Sequence, residues 1–459
     1  MLTDIVPVDG GKVCYEWKTY YPIAYYLISI AIGDYFEYNV YAKPDGLEDS
    51  ILIQNYLYDA SMLDYYKEDI DITADLIELF SELFGMYPFN EEKYGHCMAP
   101  IGGGMEHQTM TTISSFDFML VAHELSHMWF GDYVTCGTWQ DIWINEGFAT
   151  YSHLLALEYL NGEFPTSEML FYHLDQIDYM YDGSIYIPEN QFDIDYTREM
   201  EVYALTGRIF DWFLSYEKGA VILHMLRYEL NDDDMFFTIL RTFLSQYPYG
   251  NAIGNDFKAV VEEISGKDFT DFFNQWYFGE GYPVYDIQWF QENDTVYIHS
   301  VQTTSSPATS LFKMNMDYRL VYSGDESIVR LYQEENEQIH RAYFPETVTK
   351  ITVDPDEWLL KDIHSIRKEE FPVGTSNPQS DIEQITIYPN PFIDKLFVRL
   401  SNNETSAVIT LYDTTGQVIR KIKTDRSFLE IDLASFCKGI YFITIASNTE
   451  QTTRKLIKQ

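Results

Sequence analysis

The stretch HELSHMWFGD, residues 123–132, sets two histidines four apart with a glutamate directly after the first. On an α-helix, positions i and i+4 share one face, so His123 and His127 can grip one ion together. Glu124 then sits one residue round, beside the metal rather than on it. That is where a base acting on water at the metal must stand. The surrounding FDFMLVAHELSHMWFG is apolar and free of proline. It reads as a buried helix closed by Gly131 at the C′ position.

Zinc needs a third protein ligand and leaves its fourth position to water. WINEGFATYSHLLALEYL offers Glu146, after 18 intervening residues from His127, at the head of a second helical pattern. Phe148, Tyr151, Leu155 and Tyr159 recur there at helical spacing as one apolar side. The intervening DYVTCGTWQD is long enough to turn the chain back. The predicted ligand set is therefore His123, His127 and Glu146, holding one zinc per chain. The competing reading is a chance HExxH on a core helix; the later glutamate argues against it.

Outward from this centre the periodicity divides the chain. Residues 13–60 read as strands, aromatic and β-branched, with a turn at PDG. From about Leu63 the period becomes helical: Ile72, Leu76, Leu79, Phe80 and Leu83 share a face that Gly85 stops. Helical patterns continue to about Phe278, and alternation returns from there to Ile363. Residues 364–384 are polar with Pro and Gly, which reads as a linker. The last stretch alternates again: ITIYPNPFIDKLFVRL, AVITLYDTTGQVIRKI, SFLEIDL, KGIYFITIAS and TTRKLIKQ.

A chain of 459 residues is long enough for two to four domains. Its net charge of −42 excludes an electropositive stripe for nucleic acid and would set anionic membranes against it. Residues 385–459 hold 10 Lys/Arg against 7 Asp/Glu, which leaves 20 against 65 for the rest, so the acidity belongs to the first 384 residues. That field favours cationic ligands; solubility or a saline habitat explains it equally well. The run PIAYYLISIAIGDYF is too short to span a bilayer, is broken by Gly33 and Asp34, and reads as a buried strand. No basic segment precedes it, so no signal peptide is recognisable. Four cysteines without a CxxC give neither a cysteine zinc site nor a dense disulfide framework. Cys97 and Cys136 flank the metal motif, and a bridge between them or two buried thiols are both open. His96, His107, His153 and His224 read as structural, and NDDDM (231–235) as a solvated loop.

Four blocks in order resemble the gluzincin zinc aminopeptidases, the group of aminopeptidase N and leukotriene hydrolase. They are GGMEHQT (103–109), HELSHMWFGD, WINEGFATY and YEKGAVILHML (216–226). The resemblance covers roughly residues 13–363. It implies a multidomain α+β chain: a remnant of an N-terminal β domain (1–60), a thermolysin-like catalytic domain (61–280) and a β-sandwich (281–363). Carried over by position, it implies zinc on His123, His127 and Glu146, Glu124 as base and proton carrier, and Tyr216 as donor to the oxyanion. It implies Glu106 on the substrate's free α-amino group, with Gly103 and Gly104 letting the substrate backbone lie against an edge strand. Members usually carry a larger N-terminal domain with a second amine-binding side chain, and many carry a closing helical domain. His107 stands where many have Asn. A truncated gene product and a natural short form are both open, and a more open cleft is expected here.

The last stretch resembles the C-terminal sorting domain of the type IX secretion system of Bacteroidota, on YPNPF, a D-x-x-G turn, KGIYFI and a basic ending. That implies a small C-terminal β-sandwich (385–459), the type IX secretion machinery as partner, and a secreted or cell-surface location. An adhesive or carbohydrate-binding β-sandwich is the plainer alternative. The expected activity is removal of N-terminal residues from peptides with a free N-terminus. A zinc endopeptidase, or an inactive zinc-binding fragment, are the alternatives.

Overall fold

A computed structural model describes residues 2–162, 183–371, 386–388, 395–400, 406–414, 416–424, 428–447 and 451–458. The chain is a mixed α+β protein in two compact units, Met1–Phe371 and Pro372–Gln459.

The first unit begins with a hairpin of β1 (Leu2–Val8) and β2 (Lys12–Trp17). A five-stranded sheet follows, made of β3 (Phe36–Ala42), β4 (Ile51–Leu57), β5 (Lys93–Met98), β6 (Gly104–Met105) and β7 (Thr111–Ile113) in the order β3-β4-β5-β7-β6. β4 buries every second residue, whereas β5 is buried along its whole length, as a central strand covered on both faces must be. Helix α1 (Ala60–Phe84) starts at the Asp59 cap, whose side chain accepts from the Ser61 amide, and stops at Gly85 with φ of 100°. Leu76, Leu79, Phe80 and Leu83 are buried as the period requires; Ile72 is only half-buried. α2 (Phe118–Ser126), β8 (Val134–Cys136), α3 (Trp143–Ala156), α4 (Glu199–Ile209), α5 (Gly219–Leu230), α6 (Asp233–Gln246), β9 (Gly250–Ala252), α7 (Gly254–Ser265) and α8 (Thr270–Trp276) complete the helical part.

Seven strands close the first unit. β10 (Pro283–Glu292), β11 (Thr295–Thr304), β14 (Glu337–Tyr343) and β16 (Asp362–Lys368) form one sheet, and β12 (Met314–Tyr322), β13 (Asp325–Gln333) and β15 (Val348–Val353) a second. Inward residues such as Tyr285, Ile287, Ile298, Met316 and Leu320 are fully buried and alternate with outward ones. The second unit has its own apolar cluster, including Leu396, Ile409, Leu411, Ile443 and Ile445, within two antiparallel sheets. These are β17 (Thr386–Tyr388), β18 (Lys395–Arg399) and β21 (Phe428–Asp432), and β19 (Ala407–Tyr412), β20 (Val418–Thr424), β22 (Gly439–Ser447) and β23 (Gln451–Lys458). Most of YPNPF lies outside the described residues, as does most of the expected linker.

Several expectations are corrected. β3 and β4 do not belong to a separate domain: β4 pairs in parallel with β5, so they extend the sheet that carries β6. The apolar run before β3 is not a buried strand. It makes one short 3₁₀ turn at Tyr25–Leu27 and leaves Ile28, Ile30 and Ile32 exposed, because no described strand pairs with it and only Leu27 reaches the core. The supposed linker begins later, since β16 runs to Lys368 beside β10 and reads as polar because it is an exposed edge. NDDDM is a helix start rather than a loop. Asp232 caps α6 by accepting from the Met235 amide, and Asp233 pairs with the buried Arg227 guanidinium.

Candidate metal centre

Helix α2 ends at Ser126, earlier than Gly131, because Met128 and Trp129 donate to carbonyls three residues back and tighten the last turn. His123 and His127 still project together, with their Nε2 atoms 3.1 Å apart. Glu146 Oε2 lies 3.5 Å from His123 Nε2 and 3.4 Å from His127 Nε2. The His127 Nδ1 atom is 2.9 Å from the Phe130 carbonyl oxygen, which can only accept. Nδ1 therefore carries the proton, and the Nε2 lone pair faces His123 and Glu146. Two imidazole Nε2 atoms and a carboxylate oxygen, all within 4.8 Å of one another, are a donor set fit for zinc.

The turn that delivers Glu146 is held by close polar contacts, two of them from distant parts of the chain. Asp141 Oδ1 accepts from the Gly254 amide at 2.8 Å and the Tyr277 hydroxyl at 2.5 Å, and Oδ2 from Thr138 Oγ1 at 2.7 Å. Asn145 Oδ1 accepts from the Cys136 amide at 2.9 Å, tying β8 to the first turn of α3. Further along, α3 and α5 cross at two glycines. A Cβ on Gly147 would lie 2.9 Å from the Gly219 Cα, so only glycine at both positions allows this approach. The crossing brings Tyr216, on the π-helical turn Trp212–Lys218, over the metal cluster. Its ring stacks on His123 at 5.9 Å between centroids and on Trp212 at 5.2 Å.

Glu124 is buried, and its Oε2 has no hydrogen-bond partner. Burial pushes its carboxyl up to about 8; His127 opposes the shift, and Glu106 and Glu146 add to it. Burial, then the carboxylates of Glu146, Glu106 and Glu124, raise the Tyr216 hydroxyl well above the ordinary phenol range, so it is a proton donor at neutral pH. β6 forms the sheet edge beside the cluster. A Cβ on Gly104 would stand 2.5 Å from the Glu124 carboxyl carbon, so this glycine makes room for the Glu124 side chain. Gly103 turns the chain with φ of 75°, and its carbonyl accepts from the Ser114 amide at 3.0 Å. Glu106 follows three residues on, buried, and its Oε1 accepts from the Tyr26 hydroxyl at 3.3 Å.

All eight residues singled out in the sequence, Gly103, Gly104, Glu106, His123, Glu124, His127, Glu146 and Tyr216, line one cleft of about 940 Å³. The sequence reading missed Tyr26, Trp139, Phe210 and Trp212, which share that wall. It also placed His153 among structural histidines, whereas its ring lies 6.0 Å from that of His123 and borders the cleft. His96, which meets Asn55 Oδ1 at 2.8 Å, and His224, stacked on Trp358 at 4.2 Å, do not line it. Nor does His107, whose Nδ1 meets Thr112 Oγ1 at 2.8 Å. The Cys97–Cys136 bridge is not formed, and all four cysteines are free thiols. Cys97 is buried in β5, with its thiol toward the Met98 carbonyl, while Cys136 sits on β8 in the cleft wall.

Residues 68–276 match the peptidase family M1 domain, and residues 386–459 match the secretion system C-terminal sorting domain. The chain thus carries an M1 peptidase domain, of the aminopeptidase N-like gluzincin kind, and a sorting domain of the type IX kind. Among similar proteins is the probable aminopeptidase 2 of Sulfurisphaera tokodaii, 36% identical over 48% of this chain and 29% of its own length. Aminopeptidase N of Lactococcus lactis subsp. cremoris is 31% identical over 38% of this chain and 20% of its own. Aminopeptidase M1-B of Oryza sativa subsp. japonica is 29% identical over 56% of this chain and 30% of its own. The chain spans less than a third of the length of these curated relatives.

Proposed function

We propose that the chain is a zinc-dependent aminopeptidase that removes N-terminal residues from peptides. The observation that carries this reading is the convergence of the His123–His127–Glu146 cluster and Glu106 in one cleft. Residues 61–280 are read as a thermolysin-like catalytic domain and residues 281–363 as a β-sandwich behind it.

His123, His127 and Glu146 hold one zinc, which supplies Lewis acidity to the water and to the scissile carbonyl. The open edge of β6 aligns the substrate backbone, with Gly103 and Gly104 allowing close approach. Glu106 takes the α-ammonium through a charge-assisted hydrogen bond and so registers the first peptide bond over the cluster. Glu124 removes a proton from the attacking water and hands it to the leaving amine. Its buried carboxyl beside the cluster is placed for both halves of that transfer. Tyr216 donates from its hydroxyl to the oxygen on which negative charge develops.

The C-terminal unit is read as an address for export by the type IX machinery, which would make the protein secreted or surface-bound. Among the described residues no helix is long and apolar enough to cross a membrane. Turnover of free-amine aminoacyl arylamides is the test, set against N-blocked, internally quenched peptides. Preferential cleavage of the blocked peptides would replace the reading with an endopeptidase, and cleavage of neither with an inactive zinc protein.

A further inference from the structure

Between β2 and β3 the chain forms a strap, residues 18–35, laid across the first unit. Glu92 fixes one end, accepting from the Tyr20 amide at 2.7 Å and the Thr19 hydroxyl at 3.1 Å. The Tyr35 hydroxyl fixes the other, donating to the Met98 carbonyl at 3.1 Å, and Leu27 is buried between them. Ala24 and Tyr26 therefore stand in the cleft wall with Gly102, Gly103, Gly104 and Glu106.

The Tyr26 hydroxyl donates to Glu106 Oε1 at 3.3 Å, across 80 residues of sequence. An ammonium group has three N–H donors and needs as many acceptors. One carboxylate fills that requirement poorly when one of its oxygens already takes a phenol proton. The phenol oxygen keeps its own lone pairs and lies beside the same carboxylate. Its ring stands with Glu106 in the wall of the same cleft.

Resting on the aminopeptidase reading, we infer that Tyr26 is the second half of the amine site. Its hydroxyl oxygen accepts one N–H of the substrate ammonium while its proton stays on Glu106, and its ring closes the cleft against N-blocked chains. Burial, and then the charge of Glu106, keep this hydroxyl well above the ordinary phenol range, so it remains a donor throughout neutral pH. The flanking Ile28, Ile30 and Ile32 are exposed, so a change at Tyr26 need not disturb the core.

The test uses the full chain loaded with zinc, as wild type, Tyr26→Phe, Tyr26→Ala, Glu106→Ala and the Glu106→Ala/Tyr26→Phe double variant. Probes are aminoacyl arylamides, their N-acetyl forms, and an N-blocked quenched peptide. Tyr26→Phe should raise KM for free-amine substrates about fivefold, with kcat within about twofold, and still reject N-blocked ones. Tyr26→Ala should raise KM further and also begin to cut the N-blocked peptide. In the double variant the loss should be smaller than the product of the single losses, because both groups hold one ammonium. An unchanged KM in Tyr26→Phe, or a loss confined to kcat, overturns the inference while wild-type arylamide turnover leaves the aminopeptidase reading intact. A wild type that cuts only the N-blocked peptide overturns both.

Discussion

The Tyr216 ring lies almost parallel to the His123 imidazole, with 13° between their planes and 5.9 Å between centroids. A phenol packed nearly parallel to the His123 ring has its hydroxyl held beside the His123–His127–Glu146 cluster rather than swinging in solvent. Tyr216→Phe keeps the ring and the stack and removes only the donor. The expected outcome is a kcat lowered about a hundredfold or more with KM little changed. Steady-state kinetics of the zinc-loaded variant decide it; a normal kcat removes Tyr216 from the mechanism.

Glu124 and Glu146 are separable by metal analysis. Glu124→Gln should retain about one zinc per chain and lose nearly all turnover, since the base is gone and the ligands remain. Glu146→Ala should lose zinc. Equal zinc in wild type and Glu146→Ala would break the ligand assignment.

Gly104→Ala tests how close β6 stands to the base. The added methyl would enter the space of the Glu124 carboxylate, 2.5 Å from its carboxyl carbon, and must push it aside. Zinc content and melting temperature should change little, while kcat falls at least about tenfold. Full activity in this variant would show that the strand and the base are not in contact.

Glu106→Ala should raise KM for free-amine substrates at least about tenfold, a loss of about 1.4 kcal/mol. N-acetylated substrates, poor for the wild type, should not become poorer. Parallel loss on both substrate types would mean that Glu106 supports the fold of the cleft rather than the amine.

Acid sensitivity should come from buried histidines remote from the metal. Burial holds His96 and His224 down to about 3 and His340 down to about 4. Unfolded, each titrates near about 6.5. Below that pH the unfolded chain takes up protons that the folded chain refuses, so folding loses stability as pH falls from about 6.5 towards 4. The loss is about 1.4 kcal/mol per pH unit per group. His340→Gln should melt with a shallower pH dependence than wild type over that window. Identical slopes would show that His340 does not contribute.

What could be read without coordinates was local in the chain. His123, His127 and Glu146 come within reach of one another through the repeat of one helix and the first turn of the next, and both repeats are written in apolar spacing. Tyr216 was legible only by resemblance. Its place over the cluster depends on Gly147 meeting Gly219, a contact between residues 72 apart that no periodicity encodes. Tyr26 was illegible for another reason. A near-continuous apolar run was read as a buried strand, yet among the described residues it pairs with no strand and leaves Ile28, Ile30 and Ile32 exposed. β16 was misread because an exposed edge strand has the composition of a linker. The acidic start of α6 was misread because aspartates that cap a helix look like aspartates in a loop.

The end of the sheet at β6 has a further consequence. A strand only two residues long offers a template to whatever lies beside it in an extended shape, and to nothing coiled. On the proposed reading, the enzyme would sort by shape before it sorted by side chain. A chain end wound into a helix, or already zipped into another protein's sheet, has no spare amides to present. Short, unravelled fragments do, which places this catalyst after an earlier cut rather than at the first attack on an intact protein.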